Sequence, residues 1–335
     1  MVTMAVTLTD VALRAGVSRS AVSRTYTDGA SVSDRTRAKV ETAARELGYS
    51  PSIIARSLAT KRTKLIGLVA NNFQNPAFLE VFDLYTRALQ QRELRPLLVN
   101  ITTETDPAQT VRMLRQYSVD GVIVATSTLP VNFSRIFREA DVPVVHAFGR
   151  FDRLANAHVI GIDNVACGRM AADTLVARGY RHIAVIGGPD YASSTQDRVA
   201  GFVERLATLG RQTADISYAT NYTYQAGRGA MTGLMQRLMP EAVFCGDDLI
   251  CMGAMDAARS RGLSIPGDVG FLGFNDIGMA SWDAYRLTTI RQPIGEIILA
   301  SVALVAELAA DHERQPGITL FDCSLIERST LKPLV

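Results

Sequence analysis

From Leu65 onward, short apolar runs alternate with amphipathic stretches long enough for several helical turns. A strand that faces water on one side reads as strict alternation. A strand covered on both faces reads as a continuous apolar run, so this texture predicts a parallel sheet with crossover helices on each side. The strands are expected at Leu65 to Ala70, Arg95 to Ile101, Gly121 to Ala125, Pro143 to Ala147, His158 to Ile162, His182 to Ile186, Ala242 to Cys245, Val269 to Phe274 and Leu287 to Ile290, with a final one near Ser324 to Arg328. Helices fall between them, among them Pro76 to Gln91, Asn164 to Arg178, Thr195 to Leu209 and Leu249 to Arg261. That is enough for two doubly wound α/β units. Open sheets of this kind hold ligands at the carboxyl ends of their strands, and a pair of them leaves a cleft between.

The residues before Leu65 have a different grammar. Thr9 and Asp10 are placed to cap a first helix carrying Val11, Ala12 and Leu13, and Gly16-Val17-Ser18 makes a tight turn into a second helix from Arg19 to about Tyr26. Ser33 caps a third helix from about Asp34 to Leu47, closed by Gly48, with Ala38, Val40, Ala43, Ala44 and Leu47 as its apolar face. Helix, glycine turn, helix is the pattern of an all-α helix-turn-helix head. Val17 and Ala21 are expected in its core beside Val11, Ala12, Val22 and Leu47.

Charge supports that division. Residues 1–64 hold 11 Lys and Arg against 5 Asp and Glu, a surplus of +6, while the remainder holds 24 against 28, or −4. A basic end suits a polyanion, because each neutralised phosphate releases counterions; a merely solvated basic face is the alternative on charge alone. With 47% hydrophobic and 20% charged residues the chain is a globular one. The first ten residues lack a secretory pattern, which predicts a cytoplasmic protein. The apolar stretch Ile297 to Leu308 is too short to cross a bilayer and is read as a buried helix, so no membrane partner is expected. Cys167, Cys245, Cys251 and Cys323 show no C-x-x-C spacing and are read as buried thiols, with no metal and no cofactor.

Leu8-Thr9-Asp10-Val11-Ala12, Ala15-Gly16-Val17-Ser18, Ala21-Val22-Ser23-Arg24 and Leu47-Gly48-Tyr49-Ser50-Pro51 together resemble the lactose repressor (LacI) family of transcriptional regulators. Ile66-Gly67, Ile186-Gly187-Gly188, Gly201-Phe202, Gly253-Ala254-Met255 and Gly273-Phe274-Asn275-Asp276 extend the likeness along the body. The resemblance implies a helix-turn-helix head over residues 1–51 and a hinge and linker over 52–64. It implies a periplasmic-binding-protein-like core over 65–335, with subdomains at about 65–162 with 292–322 and 163–291 with 323–335. It also implies a homodimer on a pseudo-palindromic operator, controlled by a small-molecule effector, a sugar or sugar derivative. The chain has no room after its final strand for the heptad helix that makes some members tetramers, which is why a dimer is expected.

By the same resemblance the second helix lies in the major groove with Arg19, Ser20 and Arg24 toward the bases. Arg19 is the main discriminator if it makes the bidentate contact to guanine, and only an anchor if it reaches phosphate alone. Thr9, Ser18, Ser23, Ser33 and Thr36 suit phosphate contacts or caps. Ala55, Arg56, Leu58 and Ala59 resemble a hinge helix whose leucine wedges into the minor groove, although Leu58 could instead pack on its own body. The cleft walls implied are Phe73, Asn75, Phe148, Ser194, Arg198, Tyr222, Asp247 and Asn275, aromatic faces for a sugar ring and polar groups for its hydroxyls. Arg198 is the expected anchor, with an ion pair to Asp197 or Asp190 as its alternative, and Asp248 and Asp276 serve either as caps or as ligand contacts. Phe148 stands where the lactose repressor carries an acidic residue, so the ligand need not be a galactoside.

Two other classes are weighed against this. An enzyme would need a phosphate loop, a nucleophile elbow or a metal motif, and none is present; Gly187-Gly188-Pro189 is a partial match whose proline removes an amide. A sugar-binding transport protein shares the core fold but would carry an export signal in place of a basic head.

Overall fold

The computed structural model describes residues 6–27, 29–50, 57, 60, 62–71, 73, 75–102, 105–126, 128, 136–137, 139, 142–148, 150, 157–311 and 314–334. The chain divides into two compact units that meet between Lys64 and Leu65.

The first unit holds helices α1 (Leu8–Ala15), α2 (Arg19–Thr25) and α3 (Asp34–Leu47). Each opens on a hydroxyl, from Thr7, Ser18 and Ser33, that accepts a backbone N–H three residues on. The cap of α1 is therefore Thr7 and not the Thr9-Asp10 pair. The Asp10 carboxylate accepts from the Thr7 amide at 2.8 Å, and this reciprocal box sets the start of the helix earlier. Gly16 and Gly48 close α1 and α3 at φ of 64° and 66°, a left-handed turn that costs glycine nothing. Val11, Ala12, Val22, Val40, Ala43 and Ala44 make the buried core. Val17 and Leu47 reach it only half-buried, Ala21 is half-buried without joining it, and Ala38 is exposed, because a position two residues before Val40 lies about 200° around the helix from it. Of the expected hinge, Ser57 and Thr60 are helical, while Ala55, Arg56, Leu58 and Ala59 lie outside the described residues.

The second unit contains two six-stranded sheets. The first has β1 (Leu65–Ala70), β2 (Arg95–Asn100), β3 (Gly121–Ala125), β4 (Val144–Ala147), β5 (His158–Ile162) and β11 (Ile318–Phe321), in the order β11-β5-β4-β3-β1-β2, all parallel. The second has β6 (Ile183–Gly187), β7 (Ile216–Tyr218), β8 (Ala242–Cys245), β9 (Gly270–Asn275), β10 (Thr289–Arg291) and β12 (Ser324–Ile326), in the order β12-β10-β9-β8-β6-β7, with β12 antiparallel. Between the strands run α4 (Ala77–Gln91), α5 (Pro107–Gln116), α6 (Asn164–Val176), α7 (Ser193–Thr208), α8 (Tyr224–Arg237), α9 (Asp248–Arg259) and α10 (Ile294–Ala310). Every residue of β3, β5, β6 and β8 is buried, which is why these strands read as apolar runs.

Two strands, β7 and β11, are absent from the sequence reading. Both are short edges, with Ile216, Tyr218, Ile318 and Leu320 exposed, and an edge strand needs no uninterrupted apolar run. The apolar stretch around Ile297 to Leu308 is the buried side of α10, which packs on β3, β4, β5 and α4. Among the described residues the chain crosses between the sheets three times: from β5 into α6, from β10 into α10, and from β11 into β12.

Two helix pairs approach to backbone contact. A Cβ on Gly168 of α6 would sit 2.1 Å from the Arg198 carbonyl oxygen of α7, and one on Gly201 would sit 2.1 Å from the Val165 oxygen. Gly227 and Gly253 do the same for α8 and α9. These glycines set the depth at which α7 lies, and with it the position of Arg198.

Candidate functional site

In the first unit, α2 buries Val22 and Thr25 and turns Arg19, Ser20, Ser23 and Arg24 outward as one stripe. The inner edge is fastened twice. Thr25 donates its hydroxyl to the Ala21 carbonyl at 2.9 Å, and Arg37 of α3 donates to the Thr25 carbonyl at 3.0 Å. The capping hydroxyl of Ser18 lies 2.9 Å from that of Ser20, so the cap and a neighbouring surface hydroxyl are joined. Ser33 and Thr36 form a similar pair at 2.9 Å, and Thr9 is exposed on α1. Arg19 and Arg24 therefore project from a rigid, hydroxyl-rimmed surface.

In the second unit a cleft opens at the carboxyl ends of the strands, with about 780 Å³ of unoccupied space, part of it continuous with solvent. Asn75, Phe148, Ser194, Arg198, Tyr222, Asp247 and Asn275 all line it. Phe73 does not; its ring stacks on Phe82 with centroids 4.8 Å apart and joins the core.

Asp247 is the organiser. One carboxylate oxygen caps α9, accepting from the amides of Leu249 and Ile250 at 2.8 and 3.2 Å. The other accepts from the Asn275 amide at 2.9 Å and from Asn75 at 3.4 Å, so a single oxygen gathers groups from both sheets' ends. Burial raises the Asp247 carboxyl above its ordinary value, against the pull of those amides and of Arg198. Arg198 is 7% exposed. It donates to the Asn164 side chain at 2.8 Å and to the Gly246 carbonyl at 2.5 Å, and its guanidinium lies 3.9 Å above the Phe274 ring. The expected alternative, a pair with Asp197 or Asp190, is not formed. Asp197 is taken instead by Arg150, at 2.6 Å. Tyr222 is held by Thr195 at 3.0 Å.

Asp248 and Asp276 have structural partners. Asp248, fully buried, accepts from the Thr289 hydroxyl at 2.6 Å and the Ile277 amide at 2.9 Å, and burial pushes its carboxyl up to about 7. Asp276 pairs with Arg291 and Arg328, both at 2.7 Å.

The lining also contains residues absent from the sequence reading. Asn71 accepts the Thr126 hydroxyl at 2.7 Å, Thr126 and Thr128 lie 3.0 Å apart, and Gln292 donates to Asn275. Asn71, Thr126 and Gln292 each stand immediately after a strand, β1, β3 and β10, which is where a parallel sheet offers its ligand groups.

The sequence matches two family models, one after the other along the chain. Residues 7–52 match the bacterial regulatory proteins of the lacI family, and residues 63–315 match the periplasmic binding proteins and sugar binding domain of the LacI family. The chain belongs to the LacI family. This LacI-family regulator is 31% identical to the HTH-type transcriptional regulator DegA of Bacillus subtilis (strain 168), over 88% of each chain. It is 34% identical to the HTH-type transcriptional repressor PurR of Klebsiella pneumoniae, covering 97% of this chain and 96% of that one. Among solved structures it superposes on the lac repressor dimer bound to operator and the anti-inducer ONPF with a TM-score of 0.88, at 26% identity, over 97% of this chain and 99% of that one. Its relatives are DNA-binding transcriptional regulators, not enzymes. Among the described residues of this LacI-family regulator no helix is long and apolar enough to cross a membrane.

Proposed function

We propose that this regulator is a homodimeric repressor that reads a pseudo-palindromic operator with α2 and releases or grips it according to a neutral sugar in the cleft. Arg19, Ser20 and Arg24 face the bases. Thr9, Ser18, Ser23, Ser33 and Thr36 hold the phosphates, and Ala55, Arg56, Leu58 and Ala59 enter the minor groove from a hinge within residues 52–64. The observation that carries the reading is the coexistence, in one chain, of the exposed arginine and serine stripe on α2 with a cleft whose polar groups converge from both sheets.

The cleft chemistry favours an uncharged polyol. Among the described residues its lining offers one cation, Arg198, and one carboxylate, Asp247, so neither sign predominates. Asn71, Asn75, Thr126, Asn164, Asn275 and Gln292 supply paired donors and acceptors, and Phe78 and Phe148 supply apolar faces for a ring. Closure on the sugar shifts one subdomain against the other, and coupling of this sort amounts to about 1–3 kcal/mol.

Selection from a randomised duplex library tests the reading. The purified protein should enrich a single two-fold symmetric sequence, and enrichment of a half-site alone, or of none, would refute a dimer reading an operator.

A further inference from the structure

Two of the three crossovers between the sheets run side by side. Phe321 of β11 is the register partner of Ile162 of β5, so both segments leave the first sheet together. Two residues beyond Phe321 lies Cys323; just beyond Ile162 begins α6, whose first turn carries Cys167. The two side chains pack in one cluster, close enough for each thiol to shift the acidity of the other. Cys167 is 3% exposed, whereas Cys323 is only half-buried and reachable from solvent.

We propose that Cys167 and Cys323 form a reversible disulfide site, with a hydroperoxide as oxidant, that ties two of the subdomain crossovers together. Cys323 is the sulfur that solvent reaches, and the neighbouring Cys167 thiol and Arg198 hold it below its ordinary range, so Cys323 is the attacking sulfur. Its thiolate attacks the peroxide. A sulfur–oxygen bond forms, the oxygen–oxygen bond breaks, and the departing oxygen leaves as hydroxide. The Cys167 sulfur then attacks the sulfenic acid, the sulfur–sulfur bond forms, and the second oxygen leaves with the Cys167 proton. Two thiols and one hydrogen peroxide give one disulfide and two waters. The neighbouring Cys323, together with burial, keeps Cys167 protonated until then.

The molecule supplies its own control. Cys245 and Cys251 also stand close enough for one to influence the other, but both are fully buried, and burial first holds the Cys251 thiol well above its ordinary value. Two neighbouring thiol pairs with unequal access predict oxidation of one pair and not of the other.

The test treats the full-length reduced protein with equimolar hydrogen peroxide, then alkylates it in denaturant. Two of its four thiols should be lost, with a mass decrease of about 2 Da, a single cross-linked peptide joining Cys167 to Cys323, and full recovery in dithiothreitol. Cys245→Ser should behave the same way, and Cys167→Ser and Cys323→Ser should form no internal link. The oxidised protein should melt higher by on the order of 5 °C, because the link closes a long loop in the unfolded chain. Survival of all four thiols, a link between Cys245 and Cys251, sulfinic acid without a link, or a lowered melting temperature would each overturn the proposal.

Discussion

Asp247 and Asp248 are chain neighbours with opposite assignments. The first faces the cleft and gathers Asn75 and Asn275, whereas the second turns into the interior and holds β10 through Thr289. A carboxyl pushed up to about 7 in the folded state and ordinary in the unfolded state binds more protons when folded between those values. Its contribution is therefore most favourable below about pH 4, declines as pH rises toward 7, and is constant above. The melting temperature of the parent minus that of Asp248→Asn should fall steadily from pH 5 to 7 and then level, and a flat difference would show that Asp248 does not titrate in this window. At the DNA face, Arg19→Ala should relax base preference at one operator position with a loss of about 1–3 kcal/mol there, whereas uniform weakening over all sequences would assign it to phosphate. Single residues were legible where chemistry and position coincide. Asn75, Arg198, Tyr222, Asp247 and Asn275 do line the cleft. Asn71, Thr126 and Gln292 escaped because small amides and hydroxyls after a strand look like ordinary turn residues, and Phe73 misled because an aromatic near a strand end packs as readily on Phe82 as on a ligand.

At the level of elements, the contact of α6 with α7 is where packing reaches the cleft. Gly168→Ala would place a methyl group 2.1 Å from the Arg198 carbonyl oxygen, and backbone cannot yield there as a side-chain tip can. A stability loss of about 3 kcal/mol is expected in urea titrations. Binding of the cleft ligand should weaken in parallel, since α7 carries both Ser194 and Arg198. In the hinge, Leu58→Ala should reduce specific operator binding far more than non-specific binding, because only the bent, specific complex accepts a wedge; equal losses would remove that role. Elements with two buried faces were legible from their apolar runs, as β3, β5, β6 and β8 demonstrate. The edges β7 and β11 were not, since Ile216-Ser217-Tyr218 and Ile318-Thr319-Leu320 alternate like any exposed loop.

For the whole molecule the division into reading head and sensing body was already visible in the basic surplus before Leu65 and the strand and helix alternation after it. The assignment of strands to sheets was less so, because which sheet a late strand joins depends on contacts far away in sequence. A thermal-shift comparison of neutral sugars with sugar acids of the same ring size addresses the body directly. Neutral compounds should raise the melting temperature and acids should not, by mass action on the folded state; a preference for acids would overturn the balanced reading of Arg198 and Asp247. The interleaving of the sheets bears on synthesis as well as on sensing. Both sheets wait for strands from residues 318–326, while the head has its three helices by residue 47. On the ribosome, the part shaped for DNA is thus complete long before either lobe that governs it. A transcript cut short before β11 would yield a head attached to two unfinished sheets, each with an open edge ready to pair with another chain.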